Sequence, residues 1–184
     1  MKNYILIFFL STFSFTQIQA QSDIAKQKKF NAFLKEMPNK MESIREGMPK
    51  QEHDALFDHI LETEFKLDTM YIEMILREEI DIYPSTLGMC FAFRHAEERY
   101  DSLLNVYYKK FLKKLTPTDR DVLKTTQRNW LKFRNSEYDL NALVREERYS
   151  DGGSIHKVFA AEKRCDITRQ RVLELYSFYN RIWR

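Results

Sequence analysis

Residues 89–111 read MCFAFRHAEERYDSLLNVYYKKF. Met89, Phe93, Ala96, Tyr100, Leu103, Tyr107 and Phe111 recur at unbroken steps of three and four, the spacing that stacks side chains on one face of an α-helix. This is the clearest helix of the chain, and it sets the period by which the rest is read. Ahead of it, IYPSTLGM (82–89) turns the chain, with Ser85 or Thr86 as the N-cap. Behind it, KKLTPTDR (113–120) ends it and starts the next: Thr116 is the cap, Pro117 suits the first helical position and Asp119 the first turn.

The next helix runs to about Arg148 and contains QRNWLKFRNSE (127–137). YSDGGSIH (149–156) is a flexible loop, and a final helix runs from about Ile155 to the C-terminus. Upstream, residues 23–46 form a helical stretch interrupted or kinked at Pro38, and GMPKQEH around Pro49 marks a boundary. A long helix from Gln51 to Ile82 carries Leu56, Ile60, Leu67, Tyr71 and Ile75 on one face. The four glycines and four prolines mostly fall at these breaks, a scarcity that disfavours a turn-rich β protein. The expected fold is an all-α bundle of about four to five helices, mostly antiparallel.

The first twenty residues, MKNYILIFFLSTFSFTQIQA, read as a leader: Lys2 is a short positive region, Tyr4 to Phe15 are largely apolar, and Ala20 precedes the cleavage point. An uncleaved anchor is the alternative, but an apolar core of about a dozen residues is short for a bilayer. No cysteine stands at the cleavage site, so the expectation is an exported protein, periplasmic or secreted and not lipid-anchored. No later stretch is apolar enough to cross a membrane. The mature chain then divides into an N-terminal helical segment (21–85) packing on a main helical domain (86–184). A formal net charge of +3 argues against bulk affinity for nucleic acid. Two cysteines, Cys90 and Cys165, make one disulfide the simplest expectation in an oxidising compartment; two buried thiols are the other.

Catalytic apparatus is not visible. No histidine follows a glutamate by three, and His59–Glu62 and His95–Glu98 are ordinary surface pairs in so charged a chain, so no metal site is expected. Haem, P-loop and dinucleotide fingerprints are absent, hence no cofactor. Cys90 lacks a histidine nearby in sequence, and Ser154 beside His156 is not a triad element. The chain reads as a non-enzyme.

Two patterns remain. Wound as a helix, Gln127, Trp130, Arg134 and Glu137 share one stripe, which Trp130 marks as inward-facing. A buried guanidinium needs acceptors, with Glu137 as a source of charge and Asn105 and Arg171 as partners from neighbouring helices. The expected role is a structural polar network locking three helices, with a polar ligand pocket as the alternative. The second pattern is charge. Residues 52–81 hold ten acidic against two basic side chains, and residues 109–134 nine basic against two acidic. Either two solvated faces complement each other, or the acidic helix docks a basic partner.

The run YDSLLNVYYKKFLKKLTPTDRDVLKTTQRNWLKFRNSEYDL, then DGGS, then ITRQRVLEL, resembles the lysozyme-inhibitor LprI-like domain family: an LN-x-x-Y helix, a Q-R-x-W-x-x-[FY]-R-x-x-E helix, a Gly-Gly loop and a T-x-x-R helix end. The resemblance covers roughly residues 86–179. It departs from the family in lacking the lipoprotein cysteine and the cysteines many members carry near Tyr138 and Lys163. The resemblance implies a binding protein that inhibits lysozyme-type muramidases by docking. Glu62, Glu64, Asp68 and Glu73, with Glu78 and Glu79, would then offer charge, and Asp151, Gly152, Gly153 and Ser154 a narrow insertion. The alternative is an envelope structural or interaction module, with another envelope protein as partner and no inhibitory activity.

Overall fold

The computed structural model describes residues 2–48 and 56–182, with side chains from residue 19 in the first segment and from residue 62 in the second. Five helices make up nearly all of it: α1 (Lys2–Gly47), α2 (Leu56–Ile82), α3 (Thr86–Lys114), α4 (Arg120–Leu143) and α5 (Ile155–Asn180). The described residues contain no strand, and none of their helices is long and apolar enough to cross a membrane. The fold is the all-α bundle that the three-and-four spacing predicts. The boundary expected around Pro49 and the helix start at Gln51 lie outside the described residues, as do the side chains of Leu56, His59 and Ile60.

Helix ends follow local chemistry. Ser85 accepts the Gly88 N–H at 3.1 Å and caps α3. Glycine is needed at 88 because a Cβ there would lie 2.3 Å from the Tyr83 carbonyl oxygen. Thr116 Oγ1 accepts the Asp119 N–H at 3.3 Å, the bond of an N-cap. Regular α4 begins only at Arg120, so Pro117 sits in the preceding turn and not at its first position. The helix also stops at Leu143, short of the expected Arg148, and residues 144–154 connect it to α5.

Side-chain contacts give the registers. α2 runs antiparallel to α3, with Phe65 against Tyr107, Glu73 against Tyr100 and Glu79 against His95. α4 is antiparallel to α3, with Tyr138 on Glu97 and Arg134 on Asp101. α3 and α5 are parallel. Thr86 meets Ser154, Arg164 reaches back to Glu97, and Lys114 reaches the Ile182 carbonyl; these partners are 68, 67 and 68 residues apart in the chain. This pair has the most extensive packing of any two helices.

The core lies between α2, α3 and α5. Ala92 and Ala96 are fully buried, which lets α5 approach α3 closely, and Tyr100, Leu103, Tyr107 and Phe111 continue the stripe. Phe65, Ile72 and Leu76 of α2 and Cys165, Val172, Leu175 and Tyr179 of α5 close the cluster. Tyr107 stands edge-on to Phe65 and Tyr176, whose rings stack on each other at 3.7 Å. Such aromatic pairs add about 0.5–1.5 kcal/mol each beyond their buried area.

A second cluster, Phe30, Met37, Ile75 and Ile82, packs α1 onto α2. Among the described side chains, the cross-helix bonds of α1 run from Gln27 to Arg45. Helix α1 continues through Pro38, where the sequence suggested an interruption or kink. Proline removes one helical hydrogen bond, but the buried Met37 beside it and Met41 one turn on hold the segment against α2.

The disulfide expectation is corrected: Cys90 and Cys165 are both free, the first half-buried and the second fully buried. The parallel register is the reason. An offset of 67–68 sets Cys165 level with Glu97, about seven residues or roughly 10 Å along the axis from Cys90, whereas a disulfide needs Cα atoms within about 7 Å.

Glu73 is the polar joint of the core. It accepts the Tyr100 hydroxyl at 2.5 Å and Arg169 Nη2 at 2.8 Å, joining α2, α3 and α5. Arg169 also pairs with Asp166 and lies over the Tyr100 ring. Glu73→Ala removes the shared acceptor and should destabilise the fold by about 2–3 kcal/mol, read as a lower urea midpoint with an unchanged slope. An unchanged midpoint would remove Glu73 from the core framework. For the cysteines, a thiol reagent should modify Cys90 in the folded protein and Cys165 only on unfolding. Burial pushes the Cys165 thiol up from 9.0 to about 12. The folded state therefore holds this proton more tightly than the unfolded chain, and stability should fall as pH rises above about 9. Cys165→Ala should flatten that fall; an equally steep alkaline loss in the variant would assign it to other groups.

Candidate functional site

Helix α4 is attached differently from the others. Of its residues only Leu123 is buried, and long polar side chains reach from it to α3 and α5. Arg171 Nε donates to Gln127 Oε1 at 3.1 Å, and Arg171 Nη1 donates to Glu174 at 3.1 Å. Arg134 Nη1 donates to Asp101 Oδ1 at 3.2 Å, while Asn105 Nδ2 donates to the other oxygen of Asp101 at 3.3 Å. Both guanidiniums lie against the Trp130 ring, at 5.2 Å for Arg134 and 5.8 Å for Arg171. One turn on, the Tyr138 hydroxyl donates to Glu97 at 2.6 Å, and Arg164 covers the Tyr138 ring while bonding Glu97. Burial and this carboxylate push the Tyr138 hydroxyl up to about 12. Asn141 Nδ2 closes the ladder on the Ala160 carbonyl at 3.0 Å.

The stripe Gln127–Trp130–Arg134 thus faces α3 and α5, with Arg171 bonded to its first member. Two details differ from the sequence expectation. Arg134 finds its carboxylate on α3, at Asp101; Glu137, further along the same stripe, bonds neither guanidinium. The deeply buried guanidinium is Arg171, 6% exposed, while the Arg134 side chain keeps 21% of its surface. Asn105 is exposed and reaches the network only through Asp101. Asp101, Glu97 and Tyr138 were not singled out in the sequence. A signal was present: Asp101 is one turn before Asn105, and Tyr138 one turn after Arg134.

Because such long side chains hold α4 off, grooves open on both of its flanks. One of about 550 Å³ lies against α5, lined by Trp130, Phe133, Lys163, Asp166, Ile167 and Arg171 among others. One of about 520 Å³ lies against α3, lined by Leu104, Tyr108, Lys124, Arg128 and Leu131 among others. Among the described residues no group of His, Cys, Asp and Glu is placed to hold a metal ion.

The residues expected to dock a partner fall in two places. Glu62 pairs with Lys66 along its own helix, and Glu64 is engaged by Arg45 of α1. Asp68 is half-buried, which raises its carboxyl, and Glu73, about a third exposed, is bonded to Tyr100 and Arg169. Glu78 and Glu79 are also engaged, by Lys29 and His95. Much of the acidity of α2 is therefore answered from within the bundle. The loop is at the other end. Gly152 has φ +72°, Asp151 accepts the Gly153 N–H at 3.1 Å and His156 Nε2 at 2.7 Å, and Ser154 lies beside Thr86. The Gly153 N–H and then His156 hold the Asp151 carboxyl below the usual range. Phe65 beside Tyr107 and Ser154 beside Thr86 place Glu62 and Glu64 about 30 Å from the loop along α3, while Glu73, level with Tyr100, is about 21 Å away and Glu79, level with His95, about 14 Å.

The unequal burial of the two arginines has a measurable consequence. Arg171→Met should destabilise the protein by about 2–3 kcal/mol and Arg134→Met by about 1 kcal/mol or less. Chemical denaturation of both variants checks the ranking, and a larger loss for Arg134 would reverse the assignment of the inner position.

No curated protein and no solved structure gives a significant match to the chain. The family model described as lysozyme inhibitor LprI matches residues 83–175, a span that takes in α3, α4, the 144–154 connection and most of α5. With half of its length so matched, ladder and loop included, the chain belongs to the lysozyme inhibitor LprI family.

Proposed function

We propose that the chain is an exported binding protein that inhibits lysozyme-type muramidases by surface docking. Family membership over residues 83–175 carries this reading. The contact is assigned to the 144–154 connection. Tyr149 is 62% exposed, and the Asp151 side chain 79%. Exposed Tyr is the type of anchor that dominates interface energies, and Glu147 and Asp151 offer acidic charge locally, Glu146 being bonded to Arg148, although the whole chain is slightly positive. The structure pre-orders the loop through the Asp151–Gly153 and Asp151–His156 bonds, which lowers the entropy lost on binding. Glu62, Glu64, Asp68 and Glu73 do not enter this footprint: Glu62 and Glu64 are paired at the far end of the bundle with Asp68 near them, and Glu73 is bonded to Tyr100 and Arg169 midway along it.

The alternative, an envelope interaction module without inhibitory activity, has one specific support. Val122, Phe133 and Leu140 form an exposed apolar stripe along α4, each with about half or more of its surface open, a face suited to another helix.

Muramidase turnover of peptidoglycan, measured with increasing purified protein, separates the two. Stoichiometric inhibition is expected, strongest at low salt. Tyr149→Ala with Asp151→Lys should weaken it by about tenfold or more, while Glu62→Lys leaves it unchanged. Full enzyme activity at about tenfold molar excess would exclude inhibition and favour the α4 face.

A further inference from the structure

We infer that the groove between α3 and α4 is a binding site for a strand of acidic polysaccharide, whose carboxylates meet cations on both banks. Residues 109–134 hold nine basic side chains, and five of them are committed within the fold. Lys110 lies over the Tyr107 ring and Lys114 over the Tyr179 ring. Arg120 donates to the Leu112 carbonyl, Lys124 to Asp121 and Arg134 to Asp101. The other four, Lys109, Lys113, Arg128 and Lys132, are exposed and form no hydrogen bond or ion pair among the described residues.

These four lie along one groove of about 520 Å³. Its charged lining is Asp101, Lys124, Arg128 and Arg134. Asp101 answers Arg134 and Asp121 answers Lys124, which leaves Arg128 with only a weaker attraction to Asp121. On α3, Lys109 and Lys113 follow the lining residue Asn105 at four-residue steps; on α4, Lys132 follows Arg128 by the same step. The antiparallel pairs Arg134–Asp101 and Tyr138–Glu97 set Lys132 level with Leu103 and Arg128 level with Tyr107. The four cations therefore span residues 103–113 of α3, about 15 Å. Asp119 and Asp139, which form no ion pair among the described residues, lie beyond the two ends of this run.

A concave site with cations on both banks admits a strand, whereas a bilayer surface cannot enter it. Neighbouring cations of one bank are one turn apart, about 6 Å, a spacing comparable with one sugar unit and wider than that between the charges of polyphosphate. Between the banks, the Tyr108 ring and Leu131 offer apolar surface to sugar faces, and the Asn105 and Gln127 amides can bond hydroxyls. The groove is separate from the docking loop and goes beyond the inhibitor reading: Lys109 stands about 35 Å along α3 from Thr86, beside which the loop lies.

Fluorescence anisotropy of an end-labelled mannuronate hexamer, with one carboxylate on each sugar, reads the binding. A saturable rise is expected at low salt, declining as salt screens the charges, and the hexamer with its carboxylates reduced to alcohols should give none. Lys109→Gln with Lys113→Gln should weaken binding about tenfold, as loss of two exposed charge contacts implies. Arg128→Gln with Lys132→Gln should do the same from the other bank. Lys28→Gln with Lys35→Gln, which removes two exposed charges from α1, should leave binding unchanged. No saturable rise up to about 1 mM would overturn the site, as would equal weakening by the α1 pair, which would reduce the effect to net charge. Equally tight binding of a six-phosphate polyphosphate or of phosphatidylglycerol vesicles would overturn the assignment to a glycan. None of these readings involves muramidase, so this site and the inhibitor reading fail separately.

Discussion

The parallel register of α3 and α5 is the constraint on which the remaining architecture depends. Two parallel helices in contact cannot be joined by a tight turn; the chain must travel back along their length before it starts again. Helix α4 is that return, and at 1.5 Å per residue its 24 residues cover about 36 Å. One flank of the α3–α5 pair is taken by α2, whose Phe65, Ile72 and Leu76 belong to the central core. The return helix therefore lies on the other flank. The same register separates the two cysteines and sets Ser154 beside Thr86, so that the connection leading into α5 emerges where α3 begins.

A return helix needs attachment, and here the attachment is polar. Only Leu123 of α4 is buried; the remaining hold comes from Gln127, Trp130, Arg134, Tyr138 and Asn141 reaching across to α3 and α5. Apolar packing tolerates sliding by a turn, whereas a ladder of directional bonds is satisfied in one register only. The consequence is a helix fixed in position but shallowly embedded, with open grooves on both flanks. Few buried apolar contacts also make α4 the natural first unit to open. The core of α2, α3 and α5 can remain closed while it does so.

Sequence patterning revealed what depends on one helix at a time. The stripe from Met89 to Phe111 identified α3, and Gln127, Trp130 and Arg134 announced a face that needed partners. Relations between helices were less legible. Counting ten acids in residues 52–81 could not show that Glu73 is bonded to Tyr100 and Arg169, or that Lys29 and Arg45 of α1 answer Glu78 and Glu64. Cys90 and Cys165 looked like a pair because each lacked any other partner in the sequence; only the register shows them about 10 Å apart along the axis. Arg134 was matched with Glu137 because both lie on one helix, yet the carboxylate that bonds it is Asp101 across the groove. Each of these misreadings substitutes a neighbour in sequence for a neighbour in space.

The family pattern gains meaning from where its residues lie. Trp130 is half-buried, Gln127, Arg134 and Arg171 bond across helices, and Thr168 is fully buried beside Tyr138. These residues hold α4 to the bundle, so a pattern built on them describes a scaffold. The Gly-Gly element differs. A Cβ on Gly152 would meet nothing within 4 Å, so no packing demands a glycine there. Its positive φ does, because a side chain at that angle is strained. The backbone is thus bent at an open position, between an exposed Asp151 and the start of α5, for a shape that the fold's interior does not use. A loop whose conformation is specified without serving the core is where recognition of a partner is best placed, and this supports assigning the contact to the connection and not to the acidic helix.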